Sequence, residues 1–448
     1  MFAVLLCSTP VHGHVTPLLA VARHLHDSGH RVRFLSGSKY REAIEATGAE
    51  FLALPADADY DDADMDGAFP GRVGLTGPAG IRYDISTIFL RPALSQLAAV
   101  EAALAAETTD AVLVEPMFMG TLALVRKRRS ERPAVISLGI IPLGLSSPDT
   151  APYGLGVTPM RGPIGRLRNS ALRFFAQRAI FGGVQKEAEQ LILSATGEPL
   201  EGFFMNGQES ADAIVQFSVP GFEYPRSDLP ANVHFVGPLS RTVPSGGVLP
   251  EWWGELDGSR PVVHVSQGTV ANRDYSQLIE PAVAGLAGDD VLVVVSTGGR
   301  PVDTLPSPLP ENVRVAPYLP HDKLLPLTDV FVSNGGYGGV HYALEHGVPL
   351  VVAGKTEDKA EVTARVGWSG AGINLATAAP KPEKVRKAVL RVLADDRYRA
   401  ASSRIGAEIE ASAGLRGLEE VIVKVSATNA PPSLGSGSSE SSSTIGSY

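Results

Sequence analysis

At 448 residues the chain is too long for one typical core, and at roughly 150 residues per domain it predicts two or three domains, of which two is the simpler reading. Its 44% hydrophobic and 19% charged composition is globular; a single cysteine, Cys7, excludes an internal disulfide framework and a cysteine-rich metal site, and no stretch approaches the ~18 uninterrupted apolar residues of a membrane helix. A net charge of −9 opposes general nucleic-acid binding, which needs a basic face, so a small ligand is the expected partner.

Residues 1–7 are apolar, lack a basic start and are soon followed by histidines, so they read as a first strand rather than a signal peptide, and a cytoplasmic location is expected. Strand and helix signals then alternate: FAVLLCS with TPLLAVARHLHDSG, RVRFLSG with KYREAIEATG, AVLVEP with MGTLALVRKRR. That pattern builds parallel sheets with crossover helices. Residues 144–163, rich in glycine and proline, read as a long irregular loop of the kind that often lines a binding site. From residue 233 periodicity fades, as in a linker. A second series follows, through PVVHVSQGT, DVLVVVSTGG, VRVAPYLP, VFVSNGG and VPLVVAG.

The expected fold class is α/β, with two Rossmann-like, doubly wound parallel-sheet domains facing a cleft. Residues 1–232 form the first domain, 233–255 the linker, 256–428 the second domain, whose last helix can pack back on the first, and 429–448 a disordered Ser- and Gly-rich tail.

Open parallel sheets bind ligands outside the carboxyl ends of their strands. Val11-His12-Gly13-His14-Val15 lies there, with Thr16 placed as helix N-cap and Pro17 as first helical residue. A neutral imidazole takes a proton from a hydroxyl at neutral pH if a carboxylate orients its other nitrogen. Glu115, ending the strand AVLVEP, stands at the same sheet edge, whereas Asp110 starts that strand and points away. Position alone leaves open that the histidines are simply solvated or cap the helix.

In the second half, Gly335, Gly336, Gly338 and Gly339 surround Tyr337 between a strand and a helix closed by Gly347. Bare N–H groups at a helix N-terminus suit phosphate, although a tight core turn would use the same residues. Neither G-x-G-x-x-G nor the P-loop pattern fits. Ser266, Gly268 and Thr269 follow another strand; Tyr318, Leu319 and His321 offer an aromatic face for a base; Glu357, Asp358 and Lys359 follow VPLVVAG and could bond sugar hydroxyls.

In this order these residues resemble the inverting family-1 nucleotide-sugar glycosyltransferases of the GT-B fold, in their microbial macrolide-type branch. The likeness covers residues 3–425. Gly13-His14-Val15-Thr16-Pro17 matches the family's Gly-His-x-x-Pro, which makes His14 the catalytic base, with His12 second, and Glu115 its acid partner in place of the usual Asp. Tyr318 to His321, Asn334 to Gly336, Gly347-Val348-Pro349 and Asp358-Lys359 match the donor signature. Asn334 stands where His is usual, Gly339 where Ser is usual, Tyr342 where a ribose-binding Glu is usual, and His321 and Lys359 each replace Gln.

The resemblance implies direct displacement without a metal or other cofactor: His14 deprotonates an acceptor hydroxyl that attacks the anomeric carbon of a nucleoside-diphosphate hexose, most simply a UDP-sugar. The acceptor is a small lipophilic alcohol, phenol, sterol or macrolide, with Phe89, Met117, Phe118, Ile140, Leu143 and Tyr153 as candidate pocket residues beside His12. A monomer or weak dimer is expected. Two other functions fit the same fold: a nucleotide-sugar epimerase, and a nucleotide-sugar-binding protein without turnover.

Overall fold

The computed structural model describes residues 1–242, 249–269, 272–305 and 307–427; the expected tail and part of the linker lie outside them. Strands β1 (Ala3–Cys7), β2 (Arg31–Ser36), β3 (Glu50–Ala53), β4 (Ala111–Val114), β5 (Ala134–Gly139), β6 (Ala213–Gln216) and β7 (Val233–Phe235) form one sheet in the order β3-β2-β1-β4-β5-β6-β7. Strands β8 (Val262–Ser266), β9 (Leu292–Ser296), β10 (Val313–Ala316), β11 (Val330–Ser333), β12 (Leu350–Val352) and β13 (Gly372–Asn374) form a second, ordered β10-β9-β8-β11-β12-β13. All strand pairs are parallel, as the alternating pattern requires.

Helices cover both faces of each sheet, which is why the strands read as continuous apolar runs. In β1, Val4 and Leu6 enter one core with Leu18, Val21 and Leu25 of the helix His12–Asp27, while Leu5 and Cys7 enter the opposite one with Leu97 and Val100. Strand order reverses between β1 and β4, and again between β8 and β11. These are the switch points at which a doubly wound sheet opens a crevice for ligand.

Val233–Phe235, which the loss of periodicity assigns to the linker, is instead the seventh strand of the first sheet, pairing with Ile214 to Gln216. Three half-buried residues are too few to show alternation. The final helix, Leu415–Ala427, returns to the first domain, where Leu415, Leu418, Val421 and Ile422 join the core around Val4 and Leu6. The helical run Gly77–Ala106 is long and apolar enough by composition to cross a membrane, although Arg82, Asp84 and Arg91 interrupt it in sequence. Its Ile85, Leu90, Leu97 and Val100 pack in the first domain's second core.

Candidate active site

The two residues closing β1 and β4 meet at the first switch point. Cys7 pairs with Val114, so the chain just beyond each strand emerges side by side, and His14 Nδ1 lies 2.8 Å from Glu115 Oε2. Glu115 is 1% exposed, and its carboxylate is otherwise filled by donors: Thr9 N–H at 3.2 Å and Thr9 Oγ1 at 2.9 Å on Oε1, Met117 N–H at 2.7 Å on Oε2. Burial alone would raise the Glu115 pKa, but His14 and these donors together hold it below the usual carboxylate value.

For His14, burial favours the neutral ring, yet the Glu115 charge and hydrogen bond outweigh it and raise the pKa above the ordinary imidazole value. Asp358 and Glu357, from the second domain, add to the rise. The imidazole therefore stands between a carboxylate of its own domain and a carboxylate pair across the cleft, with Nδ1 committed to Glu115 and no hydrogen bond to Nε2 among the described residues. Phe89 stacks beside it, ring centroids 6.0 Å apart.

The helix starts earlier than Thr16 and Pro17 imply. It runs from His12, with Val11 at the N-cap and no side-chain cap of its own, so His14 is in its first turn. The missing cap comes from a distant residue: Asp62 Oδ2 accepts the His12 N–H at 2.7 Å, and Asp62 is itself held by Lys39 Nζ and the Tyr40 hydroxyl. A local reading of sequence has no access to such a cap. Tyr60, two residues before Asp62, has a buried hydroxyl with no hydrogen-bond partner, and the Glu115 and Asp62 charges lie close enough to act on it.

At the second switch point β8 and β11 run side by side, Ser266 opposite Ser333. Asn334 closes β11; its amide donates to the Gln267 carbonyl at 2.5 Å, and its Oδ1 accepts the Gly336 N–H at 3.4 Å. The helix Tyr337–Glu345 follows, with Gly336 at its N-cap and no side-chain cap. A Cβ built on Gly338 would meet nothing within 4 Å, so its first turn faces open space. Ser266 Oγ accepts the Gly268 N–H, and Thr269 is exposed beside it.

The other expected donor residues divide. Tyr318 is 66% exposed and lies over Gly299, whose φ of +92° and lack of Cβ allow the approach. Leu319 is instead 8% exposed in a core cluster with Trp252 and Trp253. His321 and Tyr342 pack edge to face, centroids 5.4 Å apart. Lys359 is committed to Glu357 as an ion pair and its side chain is buried. Asp358, half-buried in the cleft, has its pKa raised to about 6 by burial, with Lys359 opposing and Glu357 assisting.

Among the expected acceptor residues, Phe118, Ile140 and Leu143 each pack in a core cluster, 2%, 5% and 2% exposed, and Phe118 also lines a small cavity beside Glu115. Met117 is little different, and its contribution is its N–H on Glu115. Apolar residues just past parallel strands are needed to seal the sheet ends, and sequence cannot separate that need from a pocket wall. Tyr153 is only partly buried, has a hydroxyl without a partner, and lies within electrostatic reach of Asp358 and Glu361.

A buried polar network crossing between the domains has no counterpart in the sequence reading. Arg365 pairs with Glu223 of the first domain and with Glu361 one turn back, both at 2.9 Å, and Tyr224 lies over its guanidinium at 4.1 Å. Glu361 Oε1 accepts the N–H groups of Gly154 and Gly156 at 2.9 Å, which ties the irregular loop after β5 to the helix Lys359–Ser369. Tyr337 accepts Gln216 Nε2 at 3.0 Å, and Ser218 Oγ meets His341 Nε2 at 3.0 Å. The partners lie up to 207 residues apart, so no local pattern marks them. Among the described residues no group of three or more His, Cys, Asp or Glu is placed to hold a metal ion.

Residues 283–424 match the model of the erythromycin biosynthesis protein CIII-like C-terminal domain. Over 91% of its length the chain is 42% identical to 4'-demethylrebeccamycin synthase of Lentzea aerocolonigenes, covering 96% of that protein. It is 37% identical to UDP-glycosyltransferase 2 of Phaeomoniella chlamydospora, covering 95% of this chain and 96% of the relative. In fold it is similar to CalG4, the calicheamicin glycosyltransferase, with a TM-score of 0.71 at 21% identity over 96% of this chain and 100% of that one.

Proposed function

We propose, for a chain that belongs to the family-1 nucleotide-sugar glycosyltransferases of the GT-B fold, that His14 is the general base of an inverting sugar transfer and Glu115 its orienting carboxylate. The reaction is the transfer of a sugar from a nucleoside-diphosphate sugar to a small lipophilic acceptor. Inversion, the residues and the substrates are our reading. The observation that carries it is the 2.8 Å His14–Glu115 contact at the first sheet's switch point, facing Asp358 across the cleft.

With Nδ1–H donated to Glu115, Nε2 takes the proton of the acceptor hydroxyl as its oxygen bonds to the anomeric carbon. The bond from that carbon to the diphosphate oxygen breaks, and the nucleoside diphosphate leaves with the electron pair. Glu115 stabilises the imidazolium, and the donors around Glu115 keep it ionised while it does so. The Asn334 turn and the open first turn of Tyr337–Glu345 supply N–H groups and a helix dipole to the departing diphosphate. Asp358 accepts sugar hydroxyls, and Tyr153 reaches the same space. Tyr318 supplies an exposed ring for the base.

We assign the donor as a UDP-hexose, a reading supported by the name of the Phaeomoniella chlamydospora relative, and the acceptor as a phenol, sterol, macrolide or comparable secondary metabolite. Action as a monomer or weak dimer in the cytoplasm completes the reading. The test is incubation with UDP- and dTDP-sugars and a phenol and sterol panel, followed by NMR of the glycoside's anomeric proton. A β-glucoside from the α-linked UDP-glucose supports the assignment; retention, or release of an epimerised nucleotide sugar without glycoside, contradicts it.

A further inference from the structure

Ile164, Leu167, Phe174 and Phe175, on the helix Gly162–Phe175, are 74%, 72%, 68% and 61% exposed. With the exposed Ala171 they fall at spacings of three and four, 164, 167, 171 and 174 or 175, and so form one face. The helix is held to the protein by its polar residues instead: Asn169 is buried and donates to the Pro148 carbonyl at 2.9 Å, Arg173 bonds the Ser147 carbonyl, and Arg166 pairs with Asp149 at 2.9 Å. A surface helix ordinarily buries its apolar stripe and shows its polar one. Here the arrangement is reversed, and a contiguous exposed apolar face marks an interaction surface.

Charge identifies the partner. Residues 150–186 carry Arg161, Arg166, Arg168, Arg173, Arg178 and Lys186 and no Asp or Glu, in a chain of net charge −9. Arg161 and Arg178 make no salt bridge among the described residues. At the helix start a groove of about 590 Å³ is lined by Met160, Arg161, Arg166, Pro225, Arg226 and one carboxylate, Asp149, which pairs with Arg166; Arg226 gives two of its nitrogens to the Tyr224 and Leu143 carbonyls, while its Nε is buried without a hydrogen-bond partner. A second copy brings the same basic stretch and no acidic residue within residues 150–186 to pair with it. An anionic bilayer satisfies both features, its acyl boundary taking the apolar face and its lipid phosphates the arginines.

We propose that the helix Gly162–Phe175 with the Arg161–Arg166–Arg226 groove docks the protein on an anionic phospholipid membrane surface. The helix follows directly on the loop that carries Tyr153 and Gly154 to the cleft, so docking sets the cleft beside the phase in which a lipophilic acceptor dissolves. The docking surface is independent of the acceptor assignment and is tested without it.

The experiment is co-sedimentation of the full chain with vesicles of equal parts phosphatidylcholine and phosphatidylglycerol, and with phosphatidylcholine alone, at two salt concentrations. The wild type sediments with the anionic vesicles at least tenfold better than with the neutral ones, and less at high salt. Leu167→Glu with Phe174→Glu, and separately Arg161→Glu with Arg178→Glu, each lower binding at least tenfold, while circular dichroism and transfer to a water-soluble acceptor stay unchanged. No sedimentation of the wild type with anionic vesicles, or equal sedimentation of the variants, overturns the proposal. So does a wild-type dimer, seen by light scattering, that Leu167→Glu with Phe174→Glu converts to monomer, since a second copy then covers the face.

Discussion

Glu115 Oε2 lies 2.8 Å from His14 Nδ1, and that contact decides the ionisation of a ring that burial would otherwise keep neutral. The raised His14 pKa means that the base form is populated only as pH rises through it, so kcat/KM should climb with pH along a limb above the ordinary imidazole value. In Glu115→Gln the opposing charge is gone and burial dominates, so the limb shifts to lower pH. The plateau falls by roughly 10²–10⁴-fold, because the imidazolium loses its partner. A pH–rate profile of both proteins checks the sign; a limb that does not move removes Glu115 from this role.

Gly338 separates a structural from a ligand-binding use of the glycine cluster. Its Cβ direction is open space in a helix, so Gly338→Ala should fold and gain about 0.5–1 kcal/mol of stability from the lost freedom of the unfolded chain. The new methyl group would occupy the space assigned to the diphosphate. Nucleoside diphosphate affinity, read by calorimetry, should therefore fall at least tenfold in a protein that melts no lower than the wild type.

Asp358 opposes stability and function to each other. Its folded pKa, about 6, lies above the unfolded value, so its carboxyl favours folding while protonated, and that contribution is lost as pH rises through about 6. Asp358→Asn should gain about 1 kcal/mol at neutral pH, the full shift being reduced by cleft water, and little at pH 4. Sugar transfer should drop. Urea titrations at the two pH values measure the first effect; equal gains at both would contradict the charge as its cause.

Arg365 holds two buried carboxylates and, through Glu361, the backbone of Gly154 and Gly156. Arg365→Met leaves both charges uncompensated and should cost about 3–5 kcal/mol of unfolding free energy. Adding Glu223→Gln and Glu361→Gln should recover part of that loss. Because the same network fixes the loop carrying Tyr153, the triple variant should refold with a raised KM for the acceptor and a smaller change in nucleotide affinity.

Most of what places this site was legible in the sequence, because parallel strands are apolar throughout and the residues just beyond them mark a single sheet edge. Glu115, Asn334, Asp358 and the His12–His14 pair lie at those edges, and the resemblance to Gly-His-x-x-Pro singles out His14. What could not be read was of two kinds. Asp62 caps the helix His12–Asp27 from a separate loop, and Arg365 meets Glu223 across 142 residues, contacts that leave no periodic trace. Phe118, Ile140 and Leu143 show the other limit: their apolar character does not tell that they pack in core clusters, because a residue that seals a sheet end and one that lines a pocket look alike in sequence. The three-residue strand Val233–Phe235 was hidden by its brevity.

His14→Ala tests the role of His14 as proton acceptor most directly. Its ring is partly exposed in the cleft, so truncation should leave the fold intact. Sugar transfer measured in a single turnover with saturating UDP-sugar should fall by roughly 10²–10⁴-fold while nucleoside diphosphate affinity stays within about twofold. Transfer at the wild-type rate by a folded, nucleotide-binding His14→Ala protein would contradict the mechanism.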